Sequence, residues 1–275
     1  MKKLIITFTI FILGLTVIAQ DTLLVNKHGS IILPQKGDIG IGISANPFLS
    51  YIGNMFNGNT NNSLDLNDQL LYFRYFLNSD AALRLTIRIN TSIDANNYYV
   101  SDDAARALDP LSLLQVNDRL TTNNSIYQIR LGYEKFRGQK RLRGFYGADL
   151  GYSYQNSLGK YIYGNQMNEL NPRPTTNWGN LPSRTLEYNN GSTNIISLGI
   201  FSGAEYFLLP KISFGLELGL IFGKSWESQS YTKGEKMVQS LLTNYDLALS
   251  PGNSSTNIST SFPYSYGNLY LVFHF

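Results

Sequence analysis

Apolar and polar residues alternate along this chain with a period of two. In ALRLTIRIN, residues 82–90, Leu83, Leu85, Ile87 and Ile89 fall on one side and Arg84, Thr86, Arg88 and Asn90 on the other. Period-two alternation is the mark of a β-strand, whose successive side chains point to opposite faces. Seven further stretches behave alike. GDIGIGIS sets Ile39, Ile41 and Ile43 against Gly40, Gly42 and Ser44, and LLYFRYFL sets Leu71, Phe73, Tyr75 and Leu77 against Arg74. IYQIRLGYE opposes Tyr127, Ile129, Leu131 and Tyr133 to Gln128, Arg130, Gly132 and Glu134. FYGADLGYSY opposes Tyr146, Ala148, Leu150, Tyr152 and Tyr154 to Gly147, Asp149, Gly151 and Ser153. IISLGIFSGAEYF sets Ile196, Leu198 and Ile200 against Ser197, Gly199, Gly203 and Glu205. In ISFGLELGLIFG, Leu216, Leu218 and Leu220 oppose Gly215, Glu217 and Gly219. NLYLVFHF ends the chain with Leu269, Leu271, Phe273 and Phe275 on one face. Eight strands and no long helix are predicted.

The links between these strands alternate in length. Strands two and three join through Asn78, Ser79 and Asp80, four and five through RGQKRLRG, and six and seven through residues 208–211. The other links are long, roughly residues 47–65, 91–124, 155–193 and 225–260. Short turns at one rim and long loops at the other are the layout of an outer-membrane barrel, with turns periplasmic and loops extracellular. An even strand count returns both ends of the chain to the periplasm. The expected fold is therefore all-β: an eight-stranded antiparallel transmembrane β-barrel.

That layout decides which face is inside. The non-aliphatic face carries Arg74, Arg84, Arg88, Arg130, Glu134, Asp149, Glu205 and Glu217. Towards lipid, an arginine at mid-depth costs roughly 2–4 kcal/mol. Gathered in the lumen, arginines and acids neutralise one another, and the glycines and serines beside them make room in an interior just wide enough for side chains. The leucines therefore look outward. Two readings of the inner charges stand: a mutually satisfied plug that specifies register, favoured at this strand count, and the lining of a small polar path. Reversing the faces gives the alternative fold, a soluble lipocalin-like barrel.

The chain opens MKKLIITFTIFILGLTVIAQ, with Lys2 and Lys3 before an apolar run and small residues at Val17 and Ala19. This reads as a secretory signal cleaved before Gln20. The alternative is a membrane anchor, but the apolar run falls short of the ~20 residues a spanning helix needs. The expected organisation is a signal peptide over 1–19, a periplasmic segment over 20–36 and the barrel over 37–275. Of the 22 basic residues two leave with the signal, against 19 acidic ones that all remain. Near-neutral charge gives no reason to expect nucleic acid as a partner. There are no cysteines, which excludes disulfides, cysteine acylation, thiolate metal sites and cysteine nucleophiles. Nineteen tyrosines and fifteen phenylalanines suit the aromatic girdles of a barrel.

The C-terminal SYGNLYLVFHF, with Leu271, Phe273 and Phe275 at alternate positions, resembles the terminal β-signal read by the outer-membrane assembly machinery. KGDIGIGISANPFLSYIGNMFNGN, residues 36–59, resembles the first strand and loop of small Bacteroidetes-type barrels, and the whole mature chain is similar in layout to the outer membrane protein β-barrel superfamily. That resemblance implies a Gram-negative cell-envelope protein integral to the outer membrane, in contact with its lipid and lipopolysaccharide and inserted by the barrel assembly machinery. Eight-strand members of the superfamily include adhesion, anchoring and hydrophobic-compound-transport barrels. The chain departs from the anchoring kind in lacking a C-terminal peptidoglycan-binding domain.

Chemistry is sparse. His28 lies before the first strand and His274 at the periplasmic end of the last, neither near the long loops, and no paired carboxylates stand in a recognisable frame. No enzyme, cofactor or metal is expected. Asp102 and Asp103 in SDDAARALDP could bind calcium, but the spacing favours capping of a short helix over 104–108, ended by Pro110. In NELNPRPTTNWGNLPSRTLEYNNGST, Trp178 and Tyr188 are the candidate binding residues among solvated loop. The role expected is structural or binding, through long extracellular loops that contact an envelope protein or a glycan, as an accessory of an envelope complex. The alternative is a narrow transporter for small or apolar compounds.

Overall fold

The computed structural model describes residues 24–45, 51, 70–259 and 268–275. Among them are β1 (Ile39–Ser44), β2 (Leu70–Asn78), β3 (Ala81–Ser101), α1 (Asp103–Leu108), β4 (Gln115–Arg137), β5 (Leu142–Ile162) and β6 (Ser183–Asn189). They are followed by β7 (Thr193–Leu209), β8 (Ile212–Glu227), β9 (Ser230–Val238), β10 (Leu241–Ser250), β11 (Ser254–Ser259) and β12 (Asn268–His274). The antiparallel ladder runs β1–β2–β3–β4–β5–β7–β8–β12 and returns from β12 to β1. Phe275 N donates to Ile39 O at 2.8 Å and Ile39 N to Phe275 O at 3.0 Å across that last seam. Eight strands close on themselves, so this part of the sheet has no edge, and each of the eight predicted strands has its place in the ring.

The faces divide by parity. Leu83 is 49 % exposed and Arg84, its neighbour in β3, 3 %. Leu131, Leu150, Leu198 and Leu218 are likewise exposed on the outer wall. The aliphatic side looks outward, and the interior holds a core of Tyr72, Phe76, Phe136, Phe145, Phe201 and Tyr270 together with the charges. Glycines admit those rings. A Cβ on Gly147 would meet the Phe201 ring, and one on Gly203 the Phe145 ring.

The long links differ from the expectation of loops. β3, β4 and β5 run for 21, 23 and 21 residues, where a tilted crossing needs roughly 9–11. The stretch read as a loop over 91–124 is thus largely strand, and that over 155–193 holds the end of β5 and all of β6 on either side of residues 163–182. β6 pairs with the top of β5 and with β9, and β9 with β10. β6 leads into β7, β8 into β9 and β10 into β11 through short breaks at residues 190–192, 228–229 and 251–253. Gly191 and Gly252 take positive φ in two of these breaks, and Ser192 N donates to Ser228 Oγ at 2.7 Å across them. The wall therefore continues upward past the ring. Residues 225–260 hold the β9–β10 hairpin, and YIYG at 161–164 ends β5 and leads through residues 163–182 to β6, which returns antiparallel to β5.

At the opposite rim the connections are short: residues 79–80, 138–141 and 210–211. The arm 24–38 lies against this rim, with Ile32 and Leu33 packed on Phe207. Lys211 N donates to Ile32 O at 3.0 Å and its ammonium pairs with Asp38. These contacts hold the turn in which Lys211 has φ 63°. The expected signal over 1–19, the loop at 47–65, most of the 36–59 resemblance and the start of the C-terminal motif lie outside the described residues.

Candidate functional site

Inside the barrel, inward-facing residues of six strands of the ring, β2, β3, β4, β5, β7 and β8, bring six ionised groups into one chain. Arg143 Nε donates to Glu205 Oε1 at 2.6 Å, and Glu205 Oε2 accepts from Arg74 Nη1 at 2.7 Å. Arg74 Nε lies 2.8 Å from Glu134 Oε2, and Glu134 Oε1 accepts from Arg84 Nη1 at 3.1 Å. Arg84 closes the series with a bidentate grip on Glu217, at 2.6 and 2.8 Å. Every side chain in this series is at most 3 % exposed. Arg130 and Asp149 form a separate buried pair one layer above. Arg88 is half-buried in the same lumen.

Aromatic rings fill the space between these charges. The Arg143 guanidinium lies 4.0 Å from the Phe136 ring centroid and Arg84 4.2 Å from that of Phe201. Tyr270 accepts from Arg74 Nη2 at 3.1 Å. His274 faces inward between Phe76 and Phe207. Buried charges are tolerated when each is paired and hydrogen-bonded, and here four arginines meet four acids. The arrangement neutralises its own charge inside the barrel.

Arg143 was not among the charges expected in the lumen. It sits in RGQKRLRG, a basic run that reads as a solvated turn. The turn proper ends at Arg141, and Arg143 shares the parity of Phe145, Gly147 and Asp149 on the inner face.

At the top, residues 163–182 fold over the strand ends. Buried Asp118 accepts from Gly164 N at 2.8 Å and Asn177 N at 2.9 Å. Asn165 Nδ2 donates to the carbonyls of Ser101 and Thr175, and its Oδ1 accepts from Asp103 N. Asp102 caps α1, accepting from Ala104 N and Ala105 N. Asp103 is taken by Asn171 Nδ2 at 2.8 Å and Thr175 N at 2.7 Å. Burial works against the Asp103 charge, but those hydrogen bonds and Arg106 outweigh it and hold the carboxyl below its ordinary range. Among the described residues no three His, Asp or Glu side chains gather to hold a metal ion.

Trp178 lies in this cap, with its ring edge-on to Tyr98, Tyr161 and Tyr163 at centroid distances of 5.6, 4.8 and 5.6 Å. Tyr188 stands 6.0 Å from Tyr161 and covers Gly159. Burial pushes the Tyr163 hydroxyl well up, and it donates to Thr185 O at 2.6 Å. Both Trp178 and Tyr188 are half-buried in this cluster, so they fix the cap as well as showing part of their surface. Phe273 in β12 and Phe275 just past its end are exposed, while Tyr270, Val272 and His274 are buried.

The sequence matches no protein-family model and no curated protein. Two solved structures resemble the fold faintly. The attachment invasion locus protein Ail of Yersinia pestis is 10 % identical with a TM-score of 0.30, over 87 % of this chain and 99 % of that one. The outer membrane protein OprG of Pseudomonas aeruginosa is 9 % identical with a TM-score of 0.28, over 88 % and 98 %. Likeness of this degree carries no inference about role. The barrel rests on its own strand pairing.

Proposed function

We propose that this chain is an integral outer-membrane barrel with a binding role, its contact surface being the strand-built extracellular rim and its cap. An exterior of Leu, Ile, Val and aromatic side chains around a charged interior suits lipid outside and protein inside. One observation carries the binding role above all: β3, β4 and β5 each extend about ten residues beyond what a crossing needs, and residues 163–182 are pinned across their tips by Asp118, Asp103 and Asn165. Order of that kind pre-organises a surface, which lowers the entropy cost of binding. An envelope protein or a glycan is the partner class. Leu271, Phe273 and Phe275 would serve as the assembly signal, with the outward Phe273 and Phe275 open to the insertion machinery. Transport by a narrow path is the weaker reading, because the Arg143-to-Glu217 series crosses the lumen and Ile32 and Leu33 close its lower end.

The test is native mass spectrometry of the protein extracted from its own membranes in mild detergent, beside a form in which residues 166–181 are replaced by a short Gly-Ser link. A partner at fixed stoichiometry that the replacement releases supports binding through the cap. A bare monomer that also gives steady single-channel conductance in planar bilayers, altered by Arg84→Gln, would transfer the role to transport.

A further inference from the structure

A groove at the short-turn end has no part in the lumen or the cap. It holds about 620 Å³ between the arm 24–38 and the β4–β5 turn. Leu24, Val25 and Ile32 supply apolar lining, and Lys27, Lys140 and Arg141 supply cationic lining, with no carboxylate among the described lining residues. Arg141 is not a loose tether: its Nη1 donates to Phe207 O at 2.8 Å and Leu208 O at 3.0 Å, which fixes the charge at the groove wall.

The surroundings reinforce this sign. Segments 24–38, 79–80, 135–142 and 210–211 together carry seven lysines and arginines against two acids. Both acids are already engaged, Asp38 by Lys211 and Asp80 by Lys135. The groove is thus an apolar recess with the cationic side chains of Lys27, Lys140 and Arg141 on its walls. Such a site complements a ligand with carboxylates on either side of an aliphatic group: the charges steer the encounter and the buried apolar anchor holds it.

We infer that this groove docks an acidic peptide segment with an aliphatic anchor residue, supplied by another protein of the envelope. A peptide fits better than a phospholipid because of where the groove lies. It is bounded by the arm whose Ile32 and Leu33 close the lumen on Phe207, so it opens at the end of the barrel and not on the aliphatic wall where acyl chains would run. The inference rests on the membrane reading only for its compartment, which is then the periplasm.

The experiment uses the full mature chain in nanodiscs of phosphatidylcholine, which leave the end face open and add no net charge. The probes are fluorescein-labelled Glu-Glu-Leu-Glu-Glu, its Glu-Glu-Ser-Glu-Glu counterpart and Lys-Lys-Leu-Lys-Lys, followed by fluorescence anisotropy. Saturable binding of the first is expected, weakened at least tenfold by the Leu→Ser change, absent for the lysine peptide and weakened by added salt. Lys27→Glu with Lys140→Glu should lower affinity at least tenfold while strand content by circular dichroism is unchanged. Equal affinity for the leucine and serine peptides, or equal affinity of native and doubly substituted protein, would overturn the proposal. So would full displacement of the peptide by soluble dihexanoyl phosphatidylglycerol below its micelle concentration in the uncharged disc, together with undiminished affinity for that lipid when the serine peptide replaces the leucine one, which would assign the groove to lipid. Compartment is tested apart: Lys27→Cys, in a chain with no cysteine of its own, should resist a membrane-impermeant maleimide in intact cells. Labelling there would sink the membrane orientation while leaving the peptide result to stand or fall alone.

Discussion

Glu205 is the residue whose loss the barrel should feel most. Its carboxylate accepts from Arg143 Nε at 2.6 Å and from Arg74 Nη1 at 2.7 Å, and none of the three side chains exceeds 1 % exposure. In Glu205→Ala, Arg74 keeps Glu134, but among the described residues Arg143 keeps the Ser79 carbonyl, at 3.2 Å, and its aromatic neighbours and no acid. Two charge-assisted hydrogen bonds at about 1.5–3 kcal/mol each agree with the about 3–5 kcal/mol found when one partner of a buried pair is removed. At about 1.4 kcal/mol per decade that is two to nearly four powers of ten in the unfolding equilibrium. Urea unfolding in phosphatidylcholine vesicles, followed by the fluorescence of Trp226 in a Trp178→Phe background, measures it. Removing the stranded charge as well, as Arg143→Met with Glu205→Leu, should recover most of the loss, since a buried ion pair and an apolar pair of similar volume are often nearly equivalent. A loss below about 1 kcal/mol for Glu205→Ala, or a double variant as weak as the single one, would refute the view that paired charge sets lumen stability.

Three other outcomes follow from the same geometry. Gly203→Val places side-chain atoms against the Leu216 carbonyl and the Phe145 ring and should cost at least about 1–3 kcal/mol by overpacking, read by the same unfolding experiment. Asp118→Ala strands the amides of Gly164 and Asn177, so residues 163–182 should come loose while the barrel stays folded; chymotrypsin should then cut after Trp178, and the Trp178 emission should shift red. Asp103 should make the cap acid-sensitive. Its carboxyl is held below the ordinary value, so its contribution is present above the unfolded pKa of about 3.9 and is lost as pH falls through the lower folded value. Trp178 emission should therefore change below about pH 4, and Asp103→Asn should abolish that step.

The sequence made the closed ring of this barrel legible because one face there is apolar and the other is not. Alternation marks strands only under that contrast. In TSIDANNYYVS, residues 91–101, both faces are polar or mixed, and the upper half of β3 carries no such signal although its ladder with β4 is unbroken. The β9–β10 turn escaped for another reason: Gln239 and Ser240 take φ 49° and 66°, positions where glycine or asparagine normally announces a hairpin. Arg143 was hidden by its basic neighbours. The Trp178 cluster joins Tyr98 to a residue eighty positions away, a contact set by long-range packing that local pattern does not encode. The inner rings of Phe76, Phe145 and Phe201 follow from parity once the inner face is known to be filled and not open.

Which face of the wall meets lipid is the question on which the whole reading turns. Single cysteines at Leu83, Leu131, Leu150 and Leu198, in a chain with none of its own, would be spin-labelled in vesicles and their accessibility to oxygen and to an aqueous nickel chelate compared. All four should favour oxygen strongly, as positions in a hydrocarbon layer do. Preference for the aqueous chelate at these positions would contradict the transmembrane barrel and leave a water-soluble one with an apolar coat.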